Sequence, residues 1–160
     1  TVEEEGVLDE EESDIIQAAV DFGDITVNDV LTKIDDIKAI NIKNVSRKQL
    51  MKDLLDIDFS RIPVYEDNIN NITGILHVRK ILKAAMKSRN FSIRSAISEP
   101  CYVASTTKLD DMTEFFKEKK IHMAIVKDDN NKIIGLVTME DVLEKLIGHI
   151  PDEDEIGGDE

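Results

Sequence analysis

The stretch Gly135-Leu136-Val137-Thr138-Met139-Glu140-Asp141 decides the fold, because Gly74-Ile75-Leu76-His77-Val78-Arg79-Lys80 stands 61 residues before it with the same apolar pattern. Extended outward without a gap, the offset of 61 lays residues 40–86 on residues 101–147. It pairs Val64 with Ile125, Leu54 with Phe115, Leu55 with Phe116 and Ile72 with Ile133. Matched apolar positions beside diverged charged ones are typical of a repeated core. We expect the two units to bury their apolar faces against each other and to leave a cleft between them.

Composition limits the classes of partner. A chain of 160 residues with 41% hydrophobic residues is long enough for one domain of two halves. The net charge of −14 argues against binding to nucleic acid or to anionic lipid, since both require Lys and Arg. Much of the acid flanks the repeats, in Glu3-Glu4-Glu5, Asp9-Glu10-Glu11-Glu12 and Asp152-Glu153-Asp154-Glu155. These flanks are predicted to be solvated connectors.

Cysteine content and hydropathy add two exclusions. Cys101 is the only cysteine, which rules out an intramolecular disulfide and a cysteine-based metal site and fits a reducing compartment. No apolar run is long enough to span a bilayer. The first residue is Thr1 rather than Met, and on that basis we expect a fragment of a longer protein.

The hydrophobic periodicity predicts an α/β (α+β) fold in which each unit runs strand, helix, strand, strand, helix. The predicted divisions are an acidic connector helix (1–23), a first repeat (24–86), a linker (87–91), a second repeat (92–150) and an acidic linker (151–160). Ser13 and Gly23 are the predicted ends of the first helix, and residues 37–42 are predicted to form a strand.

Four segments resemble a tandem pair of CBS domains, the β-α-β-β-α units that together form a Bateman module. They are Ser60–Tyr65, Gly74–Val78, Ile121–Val126 and Gly135–Asp141. The resemblance covers about residues 24–150 and implies two repeats packed with pseudo-twofold symmetry.

A narrower resemblance rests on Gly6–Glu12, Arg61–Tyr65, His122–Val126 and Glu144–Ile150. These are similar to the CorC/haemolysin C (TlyC-like) family of magnesium and cobalt efflux proteins, whose relatives include the cyclin-M transport mediators. The resemblance implies a soluble module on the cytoplasmic side of the cell membrane, covalently linked to a transmembrane domain. It also implies a homodimer formed through the CBS helices, and an adenine nucleotide, ATP or AMP with or without Mg²⁺, bound between the repeats.

Gly135, Thr138 and Asp141 match the nucleotide-binding pattern of CBS pairs. A Thr at a strand end and an Asp in the first turn of the next helix can face one ligand, and a carboxylate suits the two hydroxyls of a ribose. The helix N-terminus favours phosphate. Thr-x-x-Asp is also a helix-capping arrangement, so capping alone is the competing interpretation.

The resemblance assigns further contacts. Arg61 matches the arginine that reaches the phosphates, although a surface arginine paired with a carboxylate is the alternative. Thr32 lies in the segment that resembles the adenine-contacting stretch. Ile34, Ile37 and Met51 would form apolar walls, and their alternative role is in the core.

The first repeat departs from the pattern, because His77 and Lys80 stand where the second has Thr138 and Asp141. Lys cannot accept hydrogen bonds from a ribose. The resemblance therefore implies a degraded second site at His77, Lys80, Tyr102 and His122 and one nucleotide per chain. The histidines are too scattered for a metal cluster.

No catalytic arrangement is visible in the sequence: it has no phosphate-binding glycine loop, no His paired with a nucleophile and no zinc-ligand spacing. We therefore expect a regulatory sensor rather than an enzyme. The alternative is a dimerisation module that binds no nucleotide.

Overall fold

The computed structural model describes residues 10–149, which form five α-helices and two four-stranded sheets. The helices are α1 (Glu10–Asp24), α2 (Arg47–Leu54), α3 (Val78–Lys87), α4 (Leu109–Lys119) and α5 (Met139–His149). The strands are β1 (Thr32–Lys33), β2 (Ile40–Asn41), β3 (Arg61–Tyr65), β4 (Ile72–His77), β5 (Ile97–Ser98), β6 (Tyr102–Ala104), β7 (Met123–Lys127) and β8 (Ile133–Thr138). The predictions made for residues 1–9 and 150–160, the outer parts of the two acidic connectors, lie outside the described residues.

Each sheet takes one edge strand from the other repeat. The first sheet has the order β2-β3-β4-β5 and the second the order β1-β8-β7-β6. β1 precedes the first repeat's helices yet pairs antiparallel with β8, and β5 pairs in the same way with β4. This exchange ties the two repeats together by backbone hydrogen bonds, so neither repeat completes its sheet alone.

Local signals explain where several elements begin and end. Ser46 caps α2, because its hydroxyl oxygen accepts a hydrogen bond from Gln49 N at 3.0 Å. α4 ends at Lys120, whose φ of 54° is left-handed and stops the helix. The two hairpin turns contain Asp67 and Asn131, also with positive φ, and both residue types tolerate that conformation.

Three apolar clusters fill the interior. One lies in the first repeat around Leu50, Ile62, Leu76 and Ile81, and one in the second around Leu109, Met112, Phe116 and Val137. The third cluster combines residues of both sheets, and its buried members are Ile72, Ile75, Ile125, Ile133 and Leu136. The expectation that the repeats bury their apolar faces against each other is therefore confirmed.

The gap-free offset of 61 is wrong for the first part of each repeat. Val64 pairs with Gly74 in the first hairpin, and Val126 pairs with Gly135 in the second. The equivalent of Val64 is thus Val126, an offset of 62, because the first hairpin turn contains one residue more than the second. Leu54 and Phe116 are correspondingly both buried, whereas Leu55 is 84% exposed.

Other sequence predictions need correction at their boundaries. α1 begins at Glu10, so Ser13 lies inside the helix, and Gly23 does not end it. The strand predicted over 37–42 is limited to Ile40–Asn41. β1 and β5 were not predicted, because two-residue strands have no measurable periodicity.

Candidate functional site

A cavity of about 420 Å³ opens between the repeats, within the range of small-molecule sites. It is bounded by the segment after β1, by the start of β3 and by the β8–α5 junction. Its lining residues are Thr32, Asp36, Ile37, Lys38, Asp58, Phe59, Ser60, Arg61, Pro63, His122, Met123, Leu136, Thr138, Glu140 and Asp141.

Thr138 and Asp141 form a reciprocal capping pair at the start of α5. Thr138 N donates to Asp141 Oδ2 at 3.2 Å, and Asp141 N donates to Thr138 Oγ1 at 3.1 Å. Capping, the competing interpretation from sequence, is therefore present in the structure. It uses one carboxylate oxygen of Asp141, and the other has no hydrogen-bond partner among residues 10–149. Capping and ligand binding are thus compatible at this residue.

Close backbone approach positions this junction beside β1. Gly135 pairs with Lys33 across the β1–β8 ladder. A Cβ atom at Gly135 would overlap the carbonyl oxygen of Thr32 and lie 2.8 Å from Leu31 Cδ1. Glycine is therefore needed here for space rather than for backbone freedom, and it lets Thr32 reach the same cavity as Thr138.

Arg61 is the first residue of β3 and lines the cavity, and it is half-buried. Within the part of the chain that the structure describes, no carboxylate lies within 4.0 Å of its guanidinium. The alternative of a surface arginine held in an ion pair is therefore not what the structure shows. A guanidinium without a carboxylate partner keeps its donors available for an anionic ligand.

Charge in the cavity is unevenly divided. Carboxylates come from Asp36, Asp58, Glu140 and Asp141, whereas the permanent cations are Lys38 and Arg61. The lining is therefore net negative when His122 is neutral. An anionic ligand would therefore be repelled by the four carboxylates and attracted by Arg61 and Lys38.

The structure brings together Thr32, Ile37, Arg61, Thr138 and Asp141. Two other predicted contacts lie elsewhere. Ile34 packs against the cluster between the sheets, and Met51 packs against the core of the first repeat. The core alternative describes both of them, because their apolar side chains are used in packing and do not line the cavity.

His122 lines the main cavity and does not lie with His77, Lys80 and Tyr102 as predicted. It directly precedes β7, and its carbonyl oxygen accepts a hydrogen bond from Met139 N at 2.9 Å, which holds it beside α5. Its Nδ1 atom is buried and has no hydrogen-bond partner among residues 10–149, and it lies 3.7 Å from Glu140 Oε1.

In the predicted second site, the polar groups of His77 and Tyr102 form hydrogen bonds with other residues of the chain. His77 Nε2 and Ser98 Oγ are hydrogen-bonded at 2.9 Å, and the Tyr102 hydroxyl donates to the Ile72 carbonyl at 3.3 Å. Lys80 is exposed. Burial, followed by the positive charges of Lys80 and Arg61, lowers the pKa of His77 below its ordinary 6.5. None of these residues lines the main cavity except Arg61.

Sequence reasoning missed several lining residues, among them Asp36, Lys38, Asp58, Phe59 and Glu140. Asp58 and Phe59 directly precede the quoted Ser60–Tyr65 motif, and Glu140 adjoins Asp141, so proximity to the motifs was an available signal. Asp36 and Lys38 flank Ile37, which was predicted as a cavity wall, but their placement also depends on β1 crossing to the other repeat.

Residues 10–149 contain neither a helix that could span a membrane nor a cluster of residues that could hold a metal ion. No helix there combines the length and apolar character needed to cross a membrane. Within the same range, no group of three or more His, Cys, Asp or Glu side chains is placed to hold a metal ion.

Comparison with known proteins places this geometry in context. The family model described as "CBS domain" matches residues 23–87 and 93–148. Hemolysin C of Brachyspira hyodysenteriae is 34% identical over 146 residues, which cover 91% of this chain and 53% of that protein. The chain thus spans about half the length of this relative.

Two solved structures are also similar. The CBS domain of the bacterial CNNM/CorC family Mg²⁺ transporter has a TM-score of 0.76 and 26% identity, over 94% of this chain and 92% of that one. A CBS-domain pair from Klebsiella pneumoniae with bound AMP has a TM-score of 0.71 and 28% identity, over 78% and 99%.

Proposed function

The chain belongs to the CBS domain family, and on that premise we propose that it is a regulatory module that binds one adenine nucleotide in the cavity between its repeats. The observation that carries the proposal is that Arg61 and the Thr138–Asp141 pair line one cavity of about 420 Å³. A guanidinium for phosphate and a carboxylate for ribose hydroxyls are the two polar contacts that a nucleotide needs.

Each group has a distinct role. The uncommitted oxygen of Asp141 accepts from a ribose hydroxyl, and Thr138 and Thr32 offer hydroxyls on the same side. Ile37, Pro63, Met123 and Leu136 supply apolar surface for the base. Arg61 and Lys38 attract the phosphate. No group in this set performs bond chemistry, so the role is binding and not catalysis.

The charge balance favours AMP, or ATP together with Mg²⁺, over free ATP. Four carboxylates line the cavity against two permanent cations. A monophosphate brings less charge into this field than a triphosphate, and Mg²⁺ bound to a triphosphate reduces that charge. The AMP seen in the similar Klebsiella pneumoniae pair supports the same choice.

The similar CNNM/CorC and hemolysin C proteins suggest the setting of the module. We infer a parent membrane transporter for magnesium or cobalt, with this module on the cytoplasmic side. Nucleotide binding would change the relative population of two module geometries, and the flanking helices would transmit that change to the membrane domain. Such coupling requires different ligand affinities in the two geometries.

A thermal-unfolding panel tests the function with the 160-residue chain. The ligands are AMP, ADP, ATP, ATP with Mg²⁺, adenosine and GMP. A ligand at 100 times its Kd stabilises the folded state by about 2.7 kcal/mol, so a specific adenine nucleotide raises the Tm and GMP does not. Equal shifts, or none, with all six would contradict the proposal.

A homodimer is the second part of the proposal, and exposed apolar residues favour it. Leu82 and Met86 are 42% and 87% exposed on α3, and Leu143 and Ile147 are 41% and 69% exposed on α5. The two pairs occupy equivalent positions in the two repeats, 61 residues apart. Such paired apolar faces fit a symmetric interface between two copies.

Met86→Glu with Ile147→Glu should convert a dimer to a monomer in light scattering. A wild-type chain that is monomeric at high concentration would contradict this part of the proposal. A dimer whose Tm responds to none of the ligands would identify the alternative function, a dimerisation module without nucleotide.

A further inference from the structure

Among the described residues that line the cavity, His122 is the only histidine, and its surroundings are unusual. Its side chain is 39% exposed, yet its Nδ1 atom is buried and lacks a hydrogen-bond partner among the described residues. Glu140 Oε1 lies 3.7 Å from that atom, too far for a hydrogen bond but close enough for one after a small side-chain rotation. A buried polar atom without a partner is costly, so a state that satisfies it is favoured.

The buried Nδ1 atom of His122 and the exposed part of its ring have different surroundings. Nδ1 lies beside Glu140, and the exposed part of the ring borders the cavity. A neutral imidazole has only one N–H, so it can donate either to Glu140 or to a ligand. Donation to both at once requires the imidazolium form. An anion that accepts from Nε2–H, while Glu140 accepts from Nδ1–H, is therefore bound together with a proton.

We propose that His122 is a proton-linked contact for the phosphate group of the ligand, with Glu140 as its positioning partner. This inference rests on the proposed nucleotide-binding function and adds that one proton is taken up when the ligand binds to neutral His122. The proton comes from solvent and resides on the imidazole, so that the phosphate and Glu140 share one added positive charge.

The other charged groups that line the cavity with His122 determine whether anion affinity rises or falls with pH. They are Asp36, Lys38, Asp58, Arg61, Glu140 and Asp141. Carboxylates outnumber cations, so protonation of His122 brings a net negative cavity closer to neutral. A phosphate then gains an attractive partner and meets less repulsion. Affinity for the anion is therefore higher when His122 is protonated, so it rises as pH falls.

Calorimetric titration with AMP tests the inference. The wild-type chain and His122→Gln are titrated between pH 6.0 and 8.0, in buffers of differing ionisation enthalpy, so that the heat reports proton uptake. Wild-type affinity should rise as pH falls, within the limit of about tenfold per pH unit for one proton. The phosphate of AMP has its own pKa near ~6, and because that contribution is present in both proteins, only the difference between them is assigned to His122.

Two further variants sharpen the test. His77→Gln removes a histidine that lies outside the cavity and should keep the wild-type proton uptake. Glu140→Gln keeps the side-chain shape, removes the carboxylate and should reduce the uptake while raising affinity at pH 8.0. AMP binding with the same proton uptake in wild type and His122→Gln would overturn the inference and leave the proposed function standing. Absence of AMP binding in the wild type, with every other nucleotide also inactive, would overturn both.

Discussion

Thr138 and Asp141 cap α5 by two reciprocal hydrogen bonds, of 3.2 Å and 3.1 Å, and both side chains also line the cavity. The same pair therefore stabilises a helix and presents oxygen atoms to the cleft. The corresponding pair in the first repeat, His77 and Lys80, has no capping hydrogen bond at the start of α3. The two repeats therefore differ both in the capping of this helix and in the polar groups that they could offer to a ligand.

Replacement of Asp141 should reduce stability and binding together. Asp141→Ala removes the acceptor for Thr138 N and the oxygen assigned to ribose. We expect a loss of about 1 kcal/mol in the free energy of unfolding, typical of a lost cap, and loss of AMP binding. Urea unfolding and calorimetric titration measure the two effects separately.

The matched control is Lys80→Ala, at the equivalent position of the first repeat. It should change neither quantity measurably, because Lys80 is exposed and caps nothing. Equal effects of Lys80→Ala and Asp141→Ala would show that the repeats are functionally equivalent, contrary to the assignment of a single site.

Gly135→Ala should distort the cavity through β1. The added Cβ meets the Thr32 carbonyl and Leu31, so β1 must move away from β8. We expect a cost of about 1–3 kcal/mol for this overpacking, with weaker AMP binding because Thr32 moves. Unfolding and titration of the variant measure both.

Gly148→Ala is the matched substitution in open space, since a Cβ there meets nothing within 4 Å. It lies within α5, where alanine is favoured over glycine by roughly 0.5–1 kcal/mol. Stability should therefore rise. A Gly135→Ala variant as stable as the wild type would contradict the close approach of β1.

Arg61→Gln should discriminate between ligands. If the guanidinium binds phosphate, the variant loses affinity for AMP and keeps whatever affinity the chain has for adenosine. A hydrogen bond to a charged group is worth about 1.5–3 kcal/mol, or roughly ten- to hundredfold in Kd. Parallel titrations with the two ligands measure the difference. Equal losses for AMP and adenosine would remove Arg61 from the phosphate site.

Much of the fold was predictable from the sequence, because the central strands and helices carry strong apolar periodicity. Both repeats show the predicted order of strand, helix, strand, strand, helix. The one-residue shift between the repeats was not predictable, since Leu54-Leu55 and Phe115-Phe116 are both apolar pairs and match in either register. Only burial distinguishes them, with Leu55 84% exposed and Phe116 2%.

The cavity was predictable in part. Thr138, Asp141 and Arg61 lie in recognisable motifs, and the structure places all three on one cavity. His122 was predicted to belong to the degraded second site rather than to this cavity. The sequence alone does not show the hydrogen bond that holds its backbone against Met139. Asp36 and Lys38 reach the cavity through the β1 exchange, a long-range pairing of two residues without a local signal.

Stability should fall in acid partly through His77. Its folded-state pKa is below the ordinary 6.5, so the unfolded chain binds the proton more readily. This contribution is fully present above about pH 6.5 and is lost as pH falls from there through the folded-state pKa. In His77→Gln, the loss of unfolding free energy between pH 7.5 and pH 5.5 should be smaller. The same loss in both proteins would contradict the lowered pKa.

The most direct test of the central claim is the stoichiometry of AMP binding to the 160-residue chain, measured by calorimetric titration beside Asp141→Ala. We expect saturable binding of one AMP per chain, and we expect Asp141→Ala to abolish it in a protein that stays folded. Two AMP molecules per chain, or binding that survives the substitution unchanged, would contradict the single site at Thr138 and Asp141.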